Sequence, residues 1–236
     1  MMGRTTAGAV SQAAACGSGV SGVRPDGRLA GAPRLAVRLP SVAGNILVAL
    51  FYAIFLYSAF RFWLKTGSLV GLGVVAFNTL VILFLLTRRR PTMVTGSIRN
   101  WILAPMTQIL PLLLRPVESA SWPLFVASSL GQLAGLAVMG ASLAVLSRSI
   151  GVVAANRGIK TRGPYAWVRH PLYAGEILFF LAFLAGNFTR PNALLICLLI
   201  LAQITRAHQE EAILGRDDKY AAYRTAVAYR LIPGVF

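Results

Sequence analysis

The residues of this chain best suited to chemistry are concentrated near its C-terminus. Residues 162–176 read R-G-P-Y-A-W-V-R-H-P-L-Y-A-G-E, and residues 205–215 read T-R-A-H-Q-E-E-A-I-L-G. The chain has only two histidines and seven acidic residues, and most of them lie in or beside these two stretches: His170, Glu176, His208, Glu210, Glu211 and Asp217. Side chains of these types bind polar ligands, orient charged groups and transfer protons.

The spacing of the second stretch places its charged groups in pairs. Arg206 and Glu210 are four residues apart, and His208 and Glu211 are three apart, so each pair shares one face of a helix. A helical hairpin before residue 205 would bring this helix next to the end of the first stretch. We therefore expect Arg169 and His170 to face Arg206, Glu210 and Glu211.

Two prolines stiffen the first stretch. Pro164 and Pro171 each remove a backbone donor and restrict φ, while Gly163 and Gly175 permit close approach of the backbone. These residues predict a stiff, non-helical connecting loop. Irregular backbone at a membrane is tolerated where it lines a cavity, so the pattern predicts a pocket for a polar ligand.

The elements that must position these residues are apolar helices. The chain has 236 residues, of which 56% are hydrophobic and 13% charged, and its mean hydropathy is +0.67. This composition excludes an ordinary soluble domain and is typical of a polytopic membrane protein. A span requires about 20 helical residues. The apolar runs predict six helices, of which the last two are short, at 39–60, 66–87, 100–114, 119–147, 172–187 and 192–205.

The predicted fold class is therefore an all-α, polytopic membrane helix bundle. It has five to six helices and ends in a helical hairpin, around residues 187–191, followed by a cytoplasmic amphipathic C-terminal helix. Residues 1–40 are predicted to be a disordered basic tail, 41–150 to form the N-terminal membrane helices, and 151–236 to form a ligand-binding region. The spacing of Gly131 and Gly135 predicts close packing of two helices, and Gln203 is predicted to form an interhelical hydrogen bond.

The net charge of +16 is a topology signal. With cytoplasmic termini and six spans, only four of the 23 basic residues lie on the opposite side: Arg61, Lys65, Arg115 and Arg190. The positive-inside rule predicts this asymmetry, and it argues against nucleic-acid binding. The two cysteines, Cys16 and Cys197, suggest neither a disulfide framework nor a metal site.

The C-terminal motifs resemble those of a known family. The stretches G-P-Y-A-W-V-R-H-P-L-Y-A-G, R-A-H-Q-E-E-A-I-L and Y-A-A-Y-R-T-A-V, with a closing I-P, resemble the isoprenylcysteine carboxyl methyltransferase superfamily, which includes phospholipid methyltransferases. The resemblance covers about residues 156–233. It implies an S-adenosylmethionine-dependent methyltransferase whose lipophilic or prenylated acceptor enters from the bilayer.

The resemblance also implies the site residues. Gly163, Pro164 and Tyr165 would shape the cofactor loop, and Gly175 is a further implied cofactor-binding residue. Arg169, His170, Pro171 and Tyr173 would surround the cofactor, and Glu210 and Glu211 would receive its ammonium, sulfonium or ribose groups. Arg206 and Glu210 are the implied catalytic residues, with Arg206 orienting an acceptor carboxylate through a charge-assisted contact.

The acceptor is left open by the sequence. A carboxylate acceptor needs no general base, whereas an amine or thiol must lose a proton to His170, His208 or a glutamate. Glu176 departs from the prenylcysteine enzymes, which usually have an apolar or aromatic residue there. A glutamate at this position is found in sterol-reductase-like membrane proteins that bind NADPH.

Three other interpretations follow from the same residues. An NADPH-dependent reductase would use Arg157, Lys160 and Arg162 for the phosphates of the nucleotide. A small transporter or lipid-binding scaffold would need a charged path across the membrane, which the first four helices do not offer. A metal enzyme is disfavoured because the arginines beside the histidines and glutamates would repel a cation. The expected location is the bacterial inner membrane, with both termini and the active site cytoplasmic and membrane lipids as partners.

Overall fold

The computed structural model describes residues 41–91, 93–95, 97–117 and 121–235. Within these ranges the chain forms seven α-helices: α1 (Ser41–Thr66), α2 (Leu69–Leu86), α3 (Ile98–Ile109), α4 (Trp122–Leu146), α5 (Pro171–Gly186), α6 (Arg190–Leu214) and α7 (Asp218–Ala226). Two short strands, β1 (Met93–Val94) and β2 (Ala155–Asn156), pair antiparallel. The all-α membrane bundle is therefore confirmed, while the predicted tail, 1–40, lies outside the described residues.

The six predicted helices correspond to α1–α6, but they differ in how far they could reach. Four segments are long and apolar enough to cross a membrane: Gly44–Thr66, Leu69–Leu86, Trp122–Ser149 and Arg190–Leu214. The helix α5 is apolar but has only 16 residues. The outer surfaces of the long helices carry exposed large apolar side chains such as Leu47, Ile54 and Trp122. A surface of this kind belongs in hydrocarbon, so the chain is an integral membrane protein.

The run at 100–114, whose Pro105 and Pro111 predict a bent or marginal span, is too short for a single crossing. α3 has 12 residues, which at 1.5 Å per residue reach about 18 Å, well short of the roughly 30 Å hydrocarbon core. Pro111 then begins a 3₁₀ turn, Leu110–Leu113. Proline lacks the amide hydrogen that would continue the α-helical ladder, and the chain leaves the helix there.

Small residues join α4 to α5, and this is the closest helix pair in the fold. An added Cβ on Gly135 would lie 2.8 Å from the carbonyl oxygen of Gly175, and one on Gly131 would lie 2.7 Å from Cβ of Ala182. The Ser128 hydroxyl donates to the carbonyl of Ala182 at 2.7 Å. The packing predicted from the two glycines of α4 is confirmed, and it places the start of α5 against the C-terminal half of α4.

The turn between α5 and α6 is the short hairpin predicted from its Asn and Pro residues. The Thr189 side chain caps α6 by accepting from the amide of Asn192. The buried Asn192 side chain donates to the carbonyls of Arg115 and Asn187, both at 2.8 Å, and accepts from the Arg115 amide. α6 then runs without a break through Arg206, Glu210 and Glu211, so the charged groups continue the helix that begins at the hairpin.

We predict that Gly135→Ala destabilises the protein, because the new methyl group would overlap backbone atoms of α5 that cannot rotate away. Overpacking of this kind costs about 1–3 kcal/mol. The matched control is Gly140→Ala on the same helix, where an added Cβ meets nothing within 4 Å. Thermal unfolding in detergent should show a lower midpoint for Gly135→Ala only. Equal midpoints for both variants would contradict the close packing.

Candidate functional site

The loop before α5 is held in place by the C-terminal segment of the chain. Gly163 has φ of 60°, which favours glycine, and it opens a 3₁₀ turn, Gly163–Ala166. The backbone amides of Arg169 and His170 donate to the carbonyls of Tyr229 and Arg230 at 2.9 and 2.8 Å. The predicted stiff loop is thus a 3₁₀ turn followed by a short irregular stretch that is hydrogen-bonded to residues 229–230.

α7 secures the same loop from the other side. The Tyr223 hydroxyl donates to the carbonyl of Tyr165 at 2.6 Å, and burial raises the pKa of Tyr223 to about 12. The phenol therefore remains protonated, and a donor, at any physiological pH. The predicted C-terminal helix is confirmed, and its buried face is made by Tyr220 and Tyr223.

Glu211 is the centre of an ion cluster that joins three parts of the chain. Its Oε1 accepts from Nε of Arg169 at 2.8 Å and lies 3.2 Å from Nε2 of His170. Its Oε2 accepts from Nε of Arg230 at 3.0 Å. Only 7% of the Glu211 side chain is exposed. The Arg169 guanidinium also donates from Nη1 to the carbonyls of Val227 and Ala228, so both partners are bonded on several sides.

The neighbouring Glu210 has a different environment. Its Oε2 accepts from the Tyr173 hydroxyl at 2.9 Å and lies 3.9 Å from Nδ1 of His170. The His170 and Tyr173 rings stack with an interplanar angle of 4° and centroids 5.6 Å apart. The Glu210 side chain is 29% exposed and lines a cavity. Of the two adjacent glutamates, Glu211 therefore lies within the ion cluster and Glu210 faces the cavity.

Arg206 extends from α6 to contacts on three other elements. Nη1 donates to Oγ1 of Thr107 on α3 at 2.8 Å, and Nη2 donates to the carbonyl of Val152 at 2.9 Å. Its guanidinium lies 5.2 Å from the centre of the Tyr173 ring, within range of a cation–π contact. Among the described residues, no carboxylate lies within ion-pair distance of Arg206. Its charge is available to an anion in the cavity.

The cavity has a volume of about 470 Å³, within the usual size range for small-molecule sites. Its polar end contains six of the predicted site residues, namely Tyr165, Arg169, His170, Tyr173, Arg206 and Glu210. From there it extends along apolar side chains of α1, α2, α4 and α5, including Phe55, Phe77, Leu136, Met139 and Phe179. A ligand that fills it has a polar group at one end and an apolar body at the other.

Five other predicted site residues lie beside the cavity without lining it. Gly163 and Pro164 form the 3₁₀ turn, and Pro171 is the first residue of α5. Gly175 packs against α4, where an added Cβ would lie 2.9 Å from Met139 and 3.0 Å from the Gly135 carbonyl oxygen. Glu211 is in the ion cluster. Their roles as cofactor contacts remain predictions.

The segment from Ser149 to Lys160 is the part of the lining that the motifs did not reveal. It contributes Val152, Arg157 and Lys160 to the cavity wall. Burial lowers the pKa of Arg157 to about 10, which leaves it charged at neutral pH. Its Nε is buried, and no described residue provides it with a hydrogen-bond partner. Gly151 makes room for this guanidinium, since an added Cβ would overlap it. The sequence contains both Gly151 and Arg157, but the contact between them that identifies this wall is visible only in the three-dimensional structure.

Within the described ranges, no group of three His, Cys, Asp or Glu side chains is arranged to hold a metal ion. The basic groups at the polar end, Arg157, Lys160 and Arg206, instead give the cavity positive charge beside the Glu210 carboxylate. The arrangement is suited to a ligand that carries both cationic and anionic groups.

The comparison with protein families agrees with this site. The sequence model of the isoprenylcysteine carboxyl methyltransferase (ICMT) family matches residues 124–216. The match spans α4, α5 and α6, and therefore the predicted residues from Gly163 to Glu211. No curated protein matches the chain significantly. The resemblance to the isoprenylcysteine carboxyl methyltransferase superfamily is thereby confirmed.

We predict that the same substitution at the two adjacent glutamates has different effects on thermal stability. Glu211→Gln should lower the thermal stability, because it removes the charge that pairs with the buried Arg169 guanidinium at 2.8 Å, at a cost of about 3 kcal/mol. Glu210→Gln should leave the unfolding midpoint close to that of the unaltered protein, because its carboxylate faces the cavity. Thermal unfolding of both variants in the same detergent tests this. A larger loss for Glu210→Gln would contradict the assignment.

Proposed function

We propose, from the assignment to the isoprenylcysteine carboxyl methyltransferase superfamily, that this protein transfers a methyl group from S-adenosylmethionine to a lipid-like acceptor within the membrane. The family implies a methyltransferase; the cofactor and the acceptor are our proposal. The observation that carries it is the single cavity whose charged end, at Tyr173, Arg206 and Glu210, continues into an apolar region between membrane helices.

The polar end has the chemistry that this cofactor requires. S-adenosylmethionine carries an ammonium and a sulfonium, which favour a carboxylate, and a carboxylate, which favours a basic group. Glu210 is a carboxylate with one described hydrogen bond, from Tyr173, and Arg157 has a buried nitrogen without a described partner. We propose that Glu210 receives the cationic groups, and that Tyr165, Arg169, His170 and Tyr173 form the surrounding wall.

The bound cofactor would supply an electrophilic methyl group for in-line displacement by the acceptor. The chain contributes alignment and charge, and alignment supplies much of the rate in such reactions. Tyr173 holds the Glu210 carboxylate through its hydroxyl and supports the Arg206 guanidinium with its ring. Arg206, fixed by Thr107 and Val152, would orient an acceptor carboxylate. An amine acceptor would lose its proton to His170 or Glu210.

The acceptor would reach this site from the bilayer. The apolar half of the cavity is built from α1, α2 and α4, which are long enough to cross a membrane, and from the shorter apolar helix α5. A chain of isoprenoid or acyl type would therefore lie among side chains such as Phe55 and Phe179. We place the polar end of the cavity at the cytoplasmic face of a bacterial inner membrane, because the basic residues of 148–169 and 206–230 would then follow the positive-inside rule.

The first test is ligand-dependent thermal unfolding of the protein in detergent. A ligand at 100 times its dissociation constant stabilises the folded protein by about 2.7 kcal/mol. We expect a raised midpoint with S-adenosylmethionine and with S-adenosylhomocysteine, and none with NADPH. A shift with NADPH alone would favour a reductase, for which Arg157 and Lys160 would bind the phosphates. No shift with any of the three would contradict the proposal.

We predict that Glu210→Gln weakens S-adenosylhomocysteine and S-adenosylmethionine binding at least tenfold, because hydrogen bonds to a charged group contribute about 1.5–3 kcal/mol. Asp218→Asn is the matched control, since it removes the same charge from an exposed position at the start of α7. Isothermal titration of both variants measures the effect. Unchanged affinity in Glu210→Gln would remove Glu210 from the cofactor site.

A further inference from the structure

Glu176 places a carboxylate in the wall of the cavity. It lies on α5 one turn beyond Tyr173 and lines the cavity. Its Oε2 accepts a hydrogen bond from Nε2 of the fully buried Gln203 on α6. Within the described part of the chain, the hydrogen bonds to Glu176 reach this one oxygen only. Its second oxygen retains its full capacity to accept.

The apolar surroundings of Glu176 make its ionised carboxylate energetically unfavourable. Phe179 and Phe180, one turn further along the same helix, line the same cavity, as do Met139 on α4 and Phe77 on α2. A carboxylate among such side chains loses much of its hydration, and ionisable groups within membrane helices are rare and generally functional. A leucine here would fill the space without that cost, so interhelical packing alone does not account for the residue.

Gln203 connects Glu176 to Arg206. Its Oε1 lies 3.4 Å from Nη1 of Arg206, while its Nε2 donates to Glu176. The amide is thereby oriented from both sides, and its orientation keeps Oε2 of Glu176 engaged. The remaining oxygen is held in one position, one turn of α5 from the groups that we assign to methyl transfer.

We propose that Glu176 is a specificity-determining residue, and that it binds a hydrogen-bond donor, a hydroxyl or an amine, carried by the lipid acceptor near its methyl-accepting group. This inference rests on the proposed function, because the acceptor is defined only by the proposed methyl transfer. It restricts the substrate class to lipids that have a donor at this depth, and it disfavours acceptors whose apolar chain begins directly beside the reacting group.

The alternative is a purely structural role for Glu176, and the test must distinguish that role from the binding of a hydrogen-bond donor on the ligand. Through Gln203, its charge could serve only to balance Arg206. Loss of that balance would weaken every ligand of the cavity alike. A donor-binding role instead predicts that loss of Glu176 removes the discrimination between ligands that differ in one donor.

The experiment uses three probes with the same 16-carbon chain: hexadecan-1-ol, hexadecylamine and 1-methoxyhexadecane. The methyl ether can accept a hydrogen bond but cannot donate one. Their dissociation constants are measured on the full chain in lipid nanodiscs by competition with a fluorescent hexadecyl probe, with and without S-adenosylhomocysteine. We expect the alcohol and the amine to bind at least tenfold more tightly than the ether, because a donor to a carboxylate is worth about that factor.

We expect Glu176→Leu to bind all three probes with similar affinity, and Glu176→Gln to lose its affinity for the amine while still binding the alcohol. Asn78→Leu is the matched control, since Asn78 lines the same cavity but donates to Val74 in its own helix. It should discriminate as the unaltered protein does.

Three results would overturn the proposal: equal binding of alcohol and ether by the unaltered protein, discrimination that persists in Glu176→Leu, or a uniform loss for all probes in that variant. If Glu176→Leu does not fold, retained amine affinity in Glu176→Gln would overturn it. S-adenosylhomocysteine binding is recorded separately, so a failure of the proposed function is distinguishable from a failure of this inference.

Discussion

The arrangement of the site depends on the buried carboxylate of Glu211. Arg169 and His170 reach it from the loop before α5, and Arg230 reaches it from the C-terminal segment. Buried Tyr165 and Val168 in the loop, and Val227 and Leu231 in the C-terminal segment, add apolar contacts to this cluster. A buried carboxylate with three partners satisfies its hydrogen-bonding capacity only in one arrangement of those partners. The cluster therefore sets the position of the loop, and with it the positions of Tyr165, His170 and Tyr173 at the end of the cavity.

The cavity combines two environments because of where α6 places its charges. The helix is apolar along most of its length and carries Arg206, Glu210 and Glu211 in its last three turns. The hairpin with α5 brings these turns beside Tyr173, while α1, α2 and α4 supply the apolar wall. A membrane enzyme with a charged cofactor and a lipid acceptor needs both environments in contact, and this fold joins them within about 470 Å³.

Polar groups inside the bundle are satisfied in different ways. Asn192 is saturated by backbone groups at the hairpin, and Gln132 bonds to Ser128 on its own helix. Both groups support the fold; Gln132 is part of the cavity lining, whereas Asn192 is not among its described lining residues. Arg206 and Glu176 have partners and also line the cavity. We assign function to Arg206 and Glu176 because both retain unused hydrogen-bonding capacity in a largely apolar environment.

The sequence by itself determined the class of the protein and the identity of the polar end. Apolar runs of the right length placed six helices, because hydrocarbon excludes charged side chains over a fixed thickness. Helical spacing and the hairpin brought Arg169 and His170 to Glu210 and Glu211, as expected. The C-terminal motifs indicated a resemblance to the superfamily, and the family match to residues 124–216 supports that resemblance. The residue at 176 was recognised as unusual, without a partner being evident.

Only the tertiary structure decided the separate roles of residues that are adjacent in sequence. Helical spacing places Glu210 and Glu211 about 100° apart on α6. Only the packing of other segments shows that Glu210 meets the cavity and Glu211 meets two arginines. The shortness of α3, the packing of Gly175 on α4 and the place of Arg157 in the cavity wall likewise depend on contacts between distant segments. Such contacts are set by the mutual fit of whole helices, which local propensity and spacing do not encode.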